Sequence, residues 1–230
     1  MIPAIGMTIS CGTSIPEAPT MSLVPRLHIL TDTRIQLRYS HATLAKSAWS
    51  AGEVAVQYRN KDFLEDFHLP ELVDISKWAQ SQGKVLVVND DPELAARIGA
   101  SGVHVGQSDP SIEKARMLMG PKRLVGATVH TRGELETVSS LAVDYLGIGP
   151  IFGSLTKDTG LPPLGLEGLS QFVLRSSIPV IAIGNIQLAD IPAVMSTGVH
   201  GIAVVSAFCL ADDLEYRAKE LLFAVESHAC

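Results

Sequence analysis

Eight short, mostly β-branched runs recur from Leu27 onward, each followed by enough chain for a helix, and this alternation constrains the fold more than any other feature. They are LHILTD (27–32), EVAVQYR (53–59), KVLVVND (84–90), GVHVGQ (102–107), RLVGAT (123–128), DYLGIG (144–149), PVIAIG (179–184) and GIAVVS (201–206). Most are apolar throughout and do not alternate, the pattern of strands covered on both faces. Helix signals lie between them. Pro92 suits the first turn of PELAARIGA, SIEKARMLMG opens on Ser and closes on Gly, and ADDLEYRAKELLFAVES carries apolar residues at helical spacing. Eight strand–helix units predict an α/β fold of the (β/α)8 TIM-barrel type. A doubly wound sheet would use fewer strands and a Gly-rich phosphate loop after the first; here the first strand runs into TDTRIQ.

A chain of 230 residues suits one such barrel, and no linker divides it. Residues 1–20, MIPAIGMTISCGTSIPEAPT, lack the Lys/Arg-led apolar core of a secretion signal and read as a flexible extension. Residues 21–230 are expected to form a single domain. The 24 acids against 18 bases give a net charge of −6, so no global basic field draws nucleic acid. No apolar run approaches the roughly 20 residues of a membrane span. Cys11, Cys209 and Cys230 lack metal-type spacing and cannot all pair, which favours a reducing, cytoplasmic setting. The oligomeric state is left open, a homo-oligomer included.

Barrel chemistry collects at the C-terminal ends of the strands. At period two, Gln57 and Arg59 share one side of the second strand, and Lys61 carries that side into the loop. The third strand ends on Asn89, Asp90 and Asp91, the fourth on Gln107 and Asp109, the fifth on Thr128 and His130. Two carboxylates on adjacent strand ends repel unless a cation or proton lies between them. Asp90 and Asp109 are therefore candidate Mg2+ ligands, completed by water and phosphate oxygens. Asp91 reads instead as a helix cap, and Ser111 as the cap of the next helix.

After the sixth strand, Ser154 and Thr156 offer hydroxyls and Lys157 a positive charge. Across the mouth, Gly184-Asn185 and Val205-Ser206 stand after strands seven and eight, where barrels commonly build a phosphate site from backbone N–H groups. The pattern implies two anion sites, one for a phosphate and one for a metal-bound pyrophosphate. His130 is the candidate acid/base; His104 reads as a barrel-interior residue and Cys209 as packing.

In order along the strands, VQYRNKD, VVNDDPELA, SGVHVGQSD, GATVHT, DYLGIGPIF, TKD, IPVIAIGNI and GVHGIAVVSAF resemble the thiamine-phosphate synthase family and its relatives, the TenI-type thiazole tautomerases. The resemblance implies a transferase of thiamine biosynthesis that joins hydroxymethylpyrimidine pyrophosphate to a thiazole phosphate and releases pyrophosphate. By similarity, Asp90 and Asp109 would hold Mg2+, and Arg59, Lys61, Asn89, Thr128 and Lys157 would grip the pyrophosphate. Gln57 would lie near the pyrimidine, and Ser154 and Thr156 near the thiazole. Gly184, Val205 and Ser206 would cradle the thiazole phosphate, and Asn185 beside Gly184 is a further substrate-binding candidate. Lys61, Thr128, His130 and Lys157 are the candidate catalytic set. The phosphate loop departs from the family's IGGI, with Asn185 where glycine is usual; asparagine enters positive φ less readily. A tautomerase would need no metal–pyrophosphate site, so the five ionic residues Arg59, Lys61, Asp90, Asp109 and Lys157 favour the synthase. A non-catalytic thiazole-phosphate-binding barrel is the third reading.

Overall fold

The computed structural model describes residues 24–32, 35–60, 65–153, 160 and 162–229, with the backbone alone at 65–68. The N-terminal extension read at 1–20 lies outside the described residues, as do Lys61, Ser154, Thr156 and Lys157.

Strands and helices alternate: β1 (Leu27–Thr31), α1 (His41–Trp49), β2 (Val54–Tyr58), α2 (Glu65–Ser81), β3 (Val85–Asn89), α3 (Pro92–Ile98), β4 (Gly102–Val105), α4 (Ile112–Met119) and β5 (Leu124–Val129). Then follow α5 (Arg132–Val138), β6 (Tyr145–Ile148), α6 (Gly165–Val173), β7 (Val180–Ile183), α7 (Ile191–Met195), β8 (Gly201–Val204), α8 (Ser206–Cys209) and α9 (Leu214–Ser227). Each strand pairs in parallel with the next, and β1 also pairs with β8, which closes the barrel. The expected (β/α)8 fold is the observed one. All eight runs form strands, most of them trimmed of the polar ends assigned to them. β5 instead runs on to Val129 and places His130 directly at its end.

The seam between first and last strands is tied from both sides. Arg26 donates to the His200 carbonyl (3.0 Å), His200 Nε2 donates to the Val24 carbonyl (2.8 Å), and Ile202 N–H donates to the Arg26 carbonyl (2.8 Å). Side-chain caps start the helices where the sequence offers them. Asp91 accepts from Leu94 N–H and Ser111 from Lys114 N–H, so both act as the caps expected of them. Such a cap contributes on the order of 1 kcal/mol.

Period two divides every strand between two environments. One set of side chains, such as Leu27 and Ile29, packs under the helices in the main apolar core. The other enters the barrel lumen, where Leu30, Tyr145, Ile181 and Ala203 form a smaller cluster. The lumen is not wholly apolar: His28, Gln57 and His104 are buried within it. Among the described residues no helix is long and apolar enough to cross a membrane.

Candidate active site

A cleft of about 1080 Å³, counting its open mouth, lies over the C-terminal ends of the strands. Gln57, Arg59, Asn89, Asp90, Thr128 and His130 line one part of it, and Gly184, Asn185, Val205 and Ser206 another. The structure thus gathers ten of the residues singled out from sequence into one pocket. Asp109 is not among its lining residues. Its carboxylate accepts the Gly106 N–H (2.6 Å) and closes the turn after β4.

Arg59 follows β2 and is buried together with Asp32, which follows β1; the guanidinium and the carboxylate are directly paired. A charge this deep persists only when matched and hydrogen-bonded. Asp32 therefore holds Arg59 at the pocket wall. Sequence reasoning passed over Asp32, although a buried Arg at a strand end calls for a carboxylate on a neighbouring strand, and Leu30 and Gln57 are paired in register just below.

Gln57 points into the lumen and donates through Nε2 to His28 Nδ1 (2.9 Å). His28 in turn donates through Nε2 to the Pro25 carbonyl (3.0 Å), an acceptor that fixes the ring's tautomer. Burial, reinforced by the neighbouring His104, lowers the His28 pKa to about 3, against a partial rise from the Pro25 hydrogen bond. The unfolded chain protonates this histidine near pH 6.5 while the folded one keeps it neutral. Stability is complete above that pH and falls as pH drops toward 3, with a slope of roughly 1.4 kcal/mol per pH unit from this group. We expect His28→Phe to flatten the acid limb of Tm against pH between 6.5 and 4. An unchanged limb would show that His28 is protonated in the folded barrel.

Asp90 adopts φ 70, a conformation uncommon outside glycine, and its N–H donates to the His104 carbonyl (2.7 Å). Asn89 lies between Gln57 Oε1 (3.3 Å) and the two Asp90 oxygens (2.8 and 3.1 Å). Among the described residues no three His, Cys, Asp or Glu side chains converge as a metal cage. Of the two carboxylates expected to hold Mg2+, Asp90 lines the pocket and Asp109 bonds to its own turn.

His130 donates through Nδ1 to the Gly149 carbonyl (2.7 Å), which leaves Nε2 as the proton-accepting nitrogen of the neutral ring. Glu134 accepts the His130 N–H (2.6 Å) and, with Thr131, forms the capping box that starts α5. His104 lies inside the barrel, as expected, yet it also touches the site: its Nε2 is 2.9 Å from Thr128 Oγ. Opposite, Gly184 has φ 119 and Asn185 φ 50, so the substituted asparagine does take positive φ. Cys209 is buried, donates to the Leu30 carbonyl (3.4 Å) and has its pKa raised by burial to about 12; it packs and is chemically inert.

The family model described as thiamine monophosphate synthase matches residues 27–208. The thiamine-phosphate synthase of Chloroflexus aurantiacus is 38% identical over 196 residues, covering 85% of this chain and 90% of that one. That of Albidiferax ferrireducens is 36% identical over 203 residues, covering 87% and 93%. The solved thiamine phosphate pyrophosphorylase of Pyrococcus furiosus superposes with a TM-score of 0.79 at 30% identity, covering 88% of this chain and 96% of that one. The chain belongs to the thiamine monophosphate synthase family.

Proposed function

We propose that the protein is a thiamine-phosphate synthase, coupling hydroxymethylpyrimidine pyrophosphate to a thiazole phosphate. The observation that carries this reading is the single pocket with two unlike walls. One presents Arg59, Asn89, Asp90 and Thr128; the other presents the backbone of Gly184-Asn185 and Val205-Ser206.

In the reaction the bond from the pyrimidine methylene to oxygen breaks, and its electron pair leaves with pyrophosphate. The thiazole nitrogen then donates its lone pair to the methylene carbon, forming the carbon–nitrogen bond. Charge accumulates on the departing oxygens, so donors held in advance lower the barrier. Arg59, clamped by Asp32, and the Thr128 hydroxyl are such donors, and Lys61 and Lys157 are proposed to add charge. Gln57 in the lumen addresses the pyrimidine, and Ser154 and Thr156 the thiazole. Mg2+, held by Asp90 and Asp109 together with ligand oxygens, would supply further positive charge to the leaving group. The coupling needs no protein nucleophile. His130 serves at the pocket rim through its Nε2. A thiazole tautomerase would use the same nitrogen as a proton shuttle, and that is the competing reading.

The test supplies the purified chain with both substrates, with Mg2+ or with chelator, and follows pyrophosphate and thiamine phosphate together. We expect equal amounts of both products, dependent on Mg2+, and a loss of about 100-fold or more in Asp109→Ala. Metal-independent tautomerisation without coupling would reverse the assignment. Thiazole phosphate binding without turnover would leave a non-catalytic barrel.

A further inference from the structure

Tyr145 begins β6 and is fully buried in the lumen. Among the described residues, the partner of its hydroxyl is His104 Nδ1, 3.2 Å away. A buried O–H without an acceptor costs about 1–3 kcal/mol, so Tyr145 donates and His104 Nδ1 accepts. Burial also holds the phenol protonated, its pKa pushed well above the ordinary value. Neutral His104 then carries its own proton on Nε2, and Nε2–H donates to Thr128 Oγ (2.9 Å). With an acceptor site of its oxygen taken from below, the Thr128 hydroxyl keeps its hydrogen for the pocket that it lines.

The barrel wall is shaped around this chain. A Cβ at Gly126 would lie 2.5 Å from His104 Nδ1, and one at Gly147 would lie 3.0 Å from His104 Cε1. Two bare strand positions therefore admit the imidazole in one place. A threonine hydroxyl in water donates and accepts alike. Here the lumen sets its direction before any ligand arrives, which removes reorganisation at the moment charge develops.

We propose that Tyr145 and His104 are positioning residues that fix the Thr128 hydroxyl as a donor to an anionic oxygen of the pocket's ligand. On the synthase reading above, on which the kinetic arm rests, that oxygen belongs to the leaving pyrophosphate.

Two measurements on the full chain test it. The first is 15N NMR of histidine-labelled protein, with the His104 signals identified by their loss in His104→Asn. The wild type should show the Nε2–H tautomer at His104, and Tyr145→Phe should populate the Nδ1–H form. The second is a double-mutant cycle in the coupling reaction with Tyr145→Phe and Thr128→Val. Alone, Tyr145→Phe should lower kcat/KM for the pyrophosphate substrate by about tenfold, the scale of one hydrogen bond. In the Thr128→Val background it should change kcat/KM by less than about twofold, since the hydroxyl it orients is gone. An Nδ1–H tautomer at His104 in the wild type overturns the proposal. So does a Tyr145→Phe loss of equal size in both backgrounds, which would mark a merely structural role. If the wild type catalyses no coupling, the synthase reading falls, and the NMR measurement alone decides the donor chain.

Discussion

Asp32→Ala is expected to lower the unfolding free energy by about 3–5 kcal/mol, the scale for removing one partner of a buried ion pair. The Asp32 and Arg59 side chains are 2% and 8% exposed, so water cannot replace the lost carboxylate around the guanidinium. Urea unfolding should show a large drop in midpoint with little change in slope. Activity should fall with stability, because Arg59 is both the buried cation and a pocket wall. The double variant Asp32→Ala/Arg59→Met separates the two effects. It removes both charges, so it should regain most of the stability and none of the coupling activity. A cost below about 1 kcal/mol for Asp32→Ala would mean that the pair is solvated and contributes as a surface bridge does.

Gly184→Ala is expected to damage the opposite wall as severely. Gly184 sits at φ 119, where a side chain strains the backbone by on the order of 1–3 kcal/mol. Its Cβ would meet Pro150 Cα at 2.6 Å, the Ile151 nitrogen at 2.7 Å and the Gly153 carbonyl oxygen at 2.9 Å. All three are backbone atoms, so no rotamer change relieves the contact. The loop after β7 must then move away from the segment after β6, taking Asn185 with it. Steady-state kinetics should show kcat/KM for thiazole phosphate reduced by about 100-fold or more, mainly through KM. A wild-type KM in a folded variant would remove the phosphate from this loop.

Much of this barrel is written in local pattern. Continuous apolar runs such as VLVV and YLGI fit strands buried on both faces, and eight of them with helices between leave few topologies. The caps were equally legible, because Asp91 and Ser111 satisfy N–H groups three residues ahead of them. At the site, ten residues at strand ends were legible because the fold rule says where chemistry collects. Asp109 shows the limit of that rule. Its place at a strand end did not reveal that its carboxylate accepts a hydrogen bond from its own turn.

The amino-acid sequence alone determined the strand count, the helix starts at Pro92 and Ile112 and ten residues that line the pocket, since each depends on neighbours within a few positions. Tertiary structure decided the partnerships between strands that line the lumen: Asp32 with Arg59, His28 with Gln57, and Tyr145 through His104 to Thr128. Those contacts join strands 24 to 41 residues apart, and no local pattern encodes which inward side chains meet once the sheet has closed. Closure also takes them out of water, where each donor must find an acceptor, and that requirement sets the direction of the hydrogen bonds from Tyr145 through His104 to Thr128.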